Sequence, residues 1–174
     1  MLSALMIARG RSRLPVTGES SLSFRVWLTD IDISIMNHAA ILTVMEAGRI
    51  DFMVRCGFFQ LAKRRKWYFV SAALSVQYFR PLKVFQKATL STKVFHVEDP
   101  WIYIEQKISR NGKDIAFCIV KSKVKKGRET ISAFAIIREL GSDELPQEGK
   151  ELVEAYERSN RMMQVMENSK AGIE

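Results

Sequence analysis

Residues 39–57 read AAILTVMEAGRIDFMVRCG, a stretch that holds no proline and stops on Gly57. A glycine at that place is the usual end of a helix, because it adopts the left-handed conformation at no steric cost. The apolar residues before it fall on more than one side. Ile41, Val44 and Gly48 share one, and Leu42, Met45, Phe52 and Met53 share another. A helix on a protein surface carries a single apolar stripe, whereas one apolar around most of its circumference is buried. The spacing therefore predicts a central helix over 39–56, and the remaining chain must supply its cover.

That cover reads as strands. After a turn-rich lead-in from Pro15 to Ser21, Leu22, Phe24, Val26 and Leu28 alternate with Ser23, Arg25, Trp27 and Thr29, a first strand. Residues 30–38 have no period and read as a loop, and 58–66 as a connector ending in Lys63-Arg64-Arg65-Lys66. Strands are then expected over 67–80, 84–97, 101–109, 113–125 and 129–138, with Asn111-Gly112 as a hairpin turn. The run IAFCIV at 115–120 is apolar on both faces, which marks a strand covered on both sides. Residues 143–168 read as a terminal helix with Leu152, Ala155, Tyr156 and Met163 as its stripe. The order predicts an α+β fold, one long helix wrapped by a curved antiparallel sheet. Its divisions are a tail (1–21), the main domain (22–138) and an acidic helical extension (139–174). The outer face of such a sheet lacks a cover, so a homodimer or homotetramer is expected.

Composition narrows the function. The chain has 174 residues, 47% hydrophobic and 26% charged, the profile of one globular domain. Two cysteines, Cys56 and Cys118, and two histidines argue against a Cys/His zinc site and against a disulfide framework. Reduced thiols suit the cytoplasm. No run approaches the ~20 apolar residues of a membrane span. The apolar stretch MLSALMIA at 1–8 precedes Arg9, Arg11 and Arg13, the wrong order for a secretory signal. It reads as a frayed tail and leaves peripheral membrane contact open. The net charge is +8; residues 139–174 hold nine acids and four bases, so residues 1–138 carry +13. A basic surface of this kind suits nucleic acid, anionic lipid or a phosphorylated small molecule. The sequence has no interleaved aromatic and basic platform, which counts against nucleic acid.

Chemistry concentrates at 30–40, DIDISIMNHAA: two carboxylates, an amide and an imidazole leading into the buried helix. The free amides and positive dipole end of such a helix stabilise an oxyanion, and a nearby carboxylate serves as base or nucleophile. Asp32 or Asn37 would equally serve as a helix cap. Glu46 and Arg49 are spaced as an ordinary helical ion pair, and Cys118 sits among apolar residues as an inert thiol. Lys121, Lys123 and Lys125 alternate on one side of a strand, either a solvated face or a ridge for phosphates. The chain contains no G-x-S-x-G elbow and no Gly-rich phosphate loop.

Four stretches carry a family resemblance: TDIDISIMNHAA (29–40), MEAGRIDFMVRCG (45–57), VQYFRPLKVFQKATLSTKVFHVED (76–99) and IYIEQKI (102–108). In order and spacing, from about Phe24 to Val124, they resemble hotdog-fold acyl-CoA thioesterases. The match is to the 4-hydroxybenzoyl-CoA thioesterase-like group, in particular the branch of thioesterase superfamily member six. The resemblance implies hydrolysis of an acyl-CoA thioester in a homo-oligomer, with coenzyme A as part of the substrate and neither metal nor separate cofactor. It assigns the catalytic carboxylate to Asp32 and the carbonyl-polarising amide to the neighbourhood of His38 or Ala39. Asn37 matches the first Asn of the family's Asn-Asn pair, and His38 replaces the second. Some hotdog thioesterases use a helix glutamate as nucleophile, which makes Glu46 the reserve candidate. Arg80, in Arg80-Pro81-Leu82, and Lys121, Lys123 and Lys125 are the residues expected to bind substrate. The loop also departs from the branch. Ser34 stands for an Asn, a His is missing, and Ala40-Ile41-Leu42 replaces Arg-Tyr-Leu. These departures carry the alternative of a non-catalytic acyl-CoA- or lipid-binding hotdog protein.

Overall fold

The computed structural model describes residues 10–171, with side chains as far as Met162; the apolar run at 1–8 lies outside them. The central helix α1 (His38–Arg55) starts at Asn37, whose side chain accepts from the Ala40 amide, and is capped by Cys56. Gly57 follows with φ of 86°, the left-handed turn expected of it. The same residue opens α2 (Phe58–Arg65), where the sequence was expected to give a connector. Phe58 and Leu61 bury themselves on one side of this short helix. Its basic run occupies the last turn, where cations complement the dipole.

Strand β1 (Glu19–Arg25) begins inside the expected tail, and the expected loop at 30–38 contains a small hairpin, β2 (Ile31–Asp32) and β3 (Ile35–Met36). Beyond α2 come β4 (Tyr68–Tyr78), β5 (Lys87–Glu98), β6 (Trp101–Arg110), β7 (Lys113–Lys126) and β8 (Glu129–Ile131). They form an antiparallel sheet in the order β1-β5-β6-β7-β4, with β8 paired to β7. Asn111 and Gly112 both have positive φ, 49° and 70°, as a type I′ hairpin requires. β7 is buried on both faces, as its composition foretold. Ala116, Cys118 and Val120 face α1, and Ile119 packs on the other side.

The last expected strand is mostly helix. β8 stops at Ile131, Ser132 caps α3 (Ala133–Glu139), and Ile136 and Ile137 are buried in the core. A seven-residue helix that buries two adjacent isoleucines looks like a strand in sequence, because neither period is sampled long enough. The terminal helix α4 (Lys150–Ala171) starts later than expected. It buries Val153 and Tyr156 against Phe95, Tyr103 and Ile119 on the outer face of the sheet. Leu152 and Ala155 of the expected stripe are exposed, and the Met163 side chain lies outside the described residues. The chain thus covers part of its own outer face.

The inner face of the sheet holds α1. Ile41, Met45 and Phe52 pack with Leu90, Ile104, Ile108 and Val120. Gly48 is the point of closest approach, since a β-carbon there would stand 2.4 Å from Leu90 Cδ2. The wrap is one-sided. Leu42, Thr43 and Glu46 are exposed, while Arg49 and Asp51 are buried and paired, which the apolar count alone did not anticipate. No described helix is long and apolar enough to cross a membrane.

Candidate active site

A 3-10 turn at Leu28–Asp30 delivers the chain from β1 to the β2–β3 hairpin. The hairpin turns at Ile33-Ser34, with the Ser34 amide 2.6 Å from the Asp32 carbonyl. Ile33, fully exposed, has φ of 56°, an outlier for a β-branched residue. Two backbone bonds pin the base of the hairpin: Met36 N–H donates to Leu82 at 2.7 Å and Asn37 N–H to Asp30 at 2.8 Å.

The two carboxylates of the hairpin have different positions in this scaffold. Asp30 Oδ2 accepts from the Trp27 amide at 2.7 Å and so fastens the turn. Asp32 stands two residues further out, roughly 7 Å along the hairpin. It is exposed, and no described residue bonds its carboxylate. Asn37 takes the cap, its Oδ1 accepting from the Ala40 amide at 2.7 Å. This settles which residue caps α1. It leaves the His38 and Ala39 amides without an acceptor among the described residues, the orphan donors of a helix start. The His38 ring stacks on Tyr78 of β4 at 4.3 Å between centroids. Arg80, just past β4, comes to this same end of the sheet, where its Nη1 donates to the Asp114 carbonyl at 2.7 Å.

Glu46 lies on the exposed side of α1, paired with the buried Arg49. Arg49 in turn donates to Gln106 Oε1 at 2.6 Å, and Gln106 Nε2 donates to the Met45 carbonyl at 2.7 Å and to Thr92 Oγ1 at 3.1 Å. A carboxylate held by a guanidinium is a weaker nucleophile than a free one. Gln106 escaped the sequence reading although a signal was present. It occupies the inward position between Ile104 and Ile108 on a strand whose other inward residues are aliphatic.

Lys121, Lys123 and Lys125 are not brought to the loop. Tyr78, beside His38, pairs with Ala116, whereas Lys121 lies five residues further along β7 and Lys125 pairs with Tyr68 at the opposite end. The separation is roughly 17 Å for Lys121 and 30 Å for Lys125. Lys121 is also engaged, 2.7 Å from Glu157 of α4 and over the Trp101 ring, and Lys123 lies over the same ring. Burial pushes both thiols up to about 11, so Cys56 and Cys118 stay protonated near neutral pH. Among the described residues no group of three His, Cys, Asp or Glu is arranged to hold a metal.

A curved antiparallel sheet wrapped around one central helix defines the hotdog class. Residues 26–125 match the family model of the thioesterase-like superfamily, and the chain belongs to that family. Protein THEM6 of Drosophila melanogaster is 33% identical over 79 residues, 44% of this chain and 41% of the relative. The matched stretch thus spans about two fifths of that relative's length. Among solved structures, a Thermus thermophilus thioesterase complexed with coenzyme A and zinc superposes with a TM-score of 0.60 at 22% identity, covering 69% of this chain and 89% of that one. A 4-hydroxybenzoyl-CoA thioesterase complexed with 4-hydroxybenzoyl-CoA gives 0.63 at 12% identity, covering 71% and 99%. At these identities the structural likeness establishes the fold.

Proposed function

We propose that the protein hydrolyses acyl-CoA thioesters at the start of α1. The observation that carries this reading is the division of labour at one junction. Asp30 and Asn37 hold the backbone, while the Asp32 carboxylate and the His38 and Ala39 amides have no partner among the described residues. The amides would donate to the thioester oxygen as it gains charge, aided by the helix dipole. Asp32 would draw a proton from water attacking the carbonyl carbon and the carbon–sulfur bond would break, the thiolate taking up that proton. Alternatively, Asp32 would attack directly, expelling the thiolate and leaving an acyl-aspartate that water then hydrolyses. Glu46 is second choice, because Arg49 holds it. The relatives bound to coenzyme A and to 4-hydroxybenzoyl-CoA support this substrate class. The substrate brings coenzyme A with it, so no separate cofactor enters the scheme. The two buried thiols favour a reducing compartment, the cytoplasm.

A second reading is a binding protein for acyl-CoA or lipid without turnover. It is favoured by the departures of the loop from the family pattern, Ser34 for an Asn, the missing His and Ala40-Ile41-Leu42 in place of Arg-Tyr-Leu. Hydrolysis assays over a range of acyl-CoA chain lengths separate the two. Under the first reading Asp32→Asn lowers turnover by ~10²-fold or more and retains binding of a non-hydrolysable acyl-CoA analogue. Asp30→Asn serves as the control, costing stability at the Trp27 contact before it costs chemistry. Binding without hydrolysis at every chain length selects the second reading. Turnover that survives Asp32→Asn and disappears in Glu46→Gln transfers the role to the helix glutamate.

A further inference from the structure

The outer face of the sheet carries a groove of about 650 Å³ over β1, β5 and β6. Its floor is built from two rows. Ser23, Thr89 and Ser109 lie directly opposite one another across three neighbouring strands, a line of hydroxyls. One step toward the strand ends, Arg25 lies directly opposite Lys87. Arg110, Asn111 and Gly112 of the β6–β7 hairpin close one side.

The Arg25–Lys87 pair is unfavourable as it stands, because like charges directly opposite in an antiparallel ladder repel. Among the described residues no ion pair offsets that repulsion. No carboxylate lines the groove, and none of Arg25, Lys87 and Arg110 enters an ion pair among the described residues. In the ladder, Asp114 pairs with Ser109, but on β7, beyond β6 from Lys87. Arg25 is moreover held in place, its Nη1 donating to the Phe85 carbonyl at 2.7 Å. One held guanidinium and a facing lysine beside a row of hydroxyl donors form a receptor for phosphate oxygens.

A second observation points the same way. Trp27 follows Arg25 on the same side of the chain and meets Phe85 edge-on, with 6.2 Å between ring centroids. Both rings are at least half exposed. Phe85 has φ of 63°, a conformation that bulky residues avoid unless their surroundings enforce it. An exposed aromatic pair beside a cation pair matches a nucleotide, whose base stacks while its phosphates are bound. We infer that this groove is an adenine-nucleotide site, with phosphates on Arg25, Lys87 and Arg110 and the base against Trp27 and Phe85. Naming the ligand rests on the acyl-CoA reading: it is the phosphorylated adenosine end of coenzyme A. The groove and the hairpin are contiguous, since the Val26 amide donates to Gln86 at 3.0 Å and Ile35 bridges to Lys83. The pantetheine arm would cross that segment to reach α1.

Calorimetric titration of the full chain with coenzyme A, ATP, adenosine 3′,5′-bisphosphate, pantetheine and inorganic pyrophosphate tests the site. Coenzyme A and adenosine 3′,5′-bisphosphate are expected to bind, each at least tenfold more weakly to the double variant Arg25→Gln/Lys87→Gln, and pantetheine to show no such loss. Trp27→Ala should weaken the bisphosphate and spare pyrophosphate. Binding of ATP alone would identify a free nucleotide as the ligand and overturn the coenzyme A assignment. Removing the repulsion should also raise the melting temperature of the ligand-free double variant, which shows that it folds. Wild-type protein that binds neither coenzyme A nor the bisphosphate, or a double variant that binds both as wild type does, overturns the site. The two readings fail separately. An unchanged preference for acyl-CoA over acyl-pantetheine in a double variant that still hydrolyses both removes the nucleotide site and leaves the thioesterase. Arg25-dependent bisphosphate binding without any turnover does the reverse.

Discussion

Arg49 of the central helix donates to Gln106 of β6 at 2.6 Å, and both side chains are buried. The contact ties helix to sheet with a charge at its centre and extends outward to the carboxylate of Glu46. Inward it reaches Thr92 and the Met45 carbonyl through the Gln106 amide. A buried guanidinium is tolerated only where its protons have acceptors. This network therefore fixes the axial position of α1 and, with it, the helix start proposed as the active site.

Gln106→Leu preserves approximate size but removes the acceptor for Arg49 and the donor for Thr92. Arg49 keeps its ion pair with Glu46, so the expected destabilisation is about 1–3 kcal/mol, the scale of a buried donor left without its acceptor. Urea unfolding of Gln106→Leu beside the double variant Arg49→Met/Gln106→Leu measures it. The double variant should recover part of the loss, because no buried guanidinium N–H then lacks its acceptor.

Gly48→Ala places a methyl group against Leu90 Cδ2, and the fully buried Leu90 must shift within a packed core to admit it. Overpacking costs about 1–3 kcal/mol, against a gain of at most about 1 kcal/mol in helix propensity. The net effect is a lower unfolding midpoint. Adding Leu90→Ala should give a combined loss smaller than the sum of the two, since the cavity receives the new methyl.

The thiols predict an alkaline limit to stability. Burial raises Cys56 and Cys118 in the folded chain to about 11, against 9.0 when unperturbed. The folded state then holds protons that the unfolded chain releases. The contribution is complete below the unfolded value and is lost as pH rises through the folded one. At pH 10 the loss is about 1.4 kcal/mol for each thiol. Urea midpoints measured from pH 8 to 10.5 should fall more steeply for the wild type than for Cys118→Ala, whose baseline is lower but whose slope lacks one thiol.

β4 is an edge strand of eleven residues, with Tyr68, Leu74 and Tyr78 exposed along it. A long bare edge invites pairing with another chain. Sedimentation at micromolar concentration is expected to show a homodimer or larger. Leu74→Lys, which places a charge on that edge, should shift the distribution toward the 19.9 kDa monomer. A wild-type chain that sediments as a monomer rules this assembly out.

The sequence by itself determined the elements whose signals are local. α1 was legible because eighteen residues sample several helical turns and Gly57 ends them. The Asn111-Gly112 hairpin was legible because both residues tolerate positive φ. The double burial of β7 followed from apolar residues on both of its faces. Short elements escaped. α2 and α3 have eight and seven residues, too few for a period to separate helix from loop or strand, and their burial decides them. Within the loop, residue types marked Asp30, Asp32 and Asn37 as candidates, but hydrogen bonds sorted them: Asp30 to the Trp27 amide, Asn37 to the cap, and Asp32 to none of the described residues. Strand register decided the rest. It carried Lys121, Lys123 and Lys125 away from the loop and set Arg25 opposite Lys87. Arg25 and Lys87 are far apart in sequence, and only the pairing of β1 with β5, fixed by which faces bury apolar side chains, could bring their charges together.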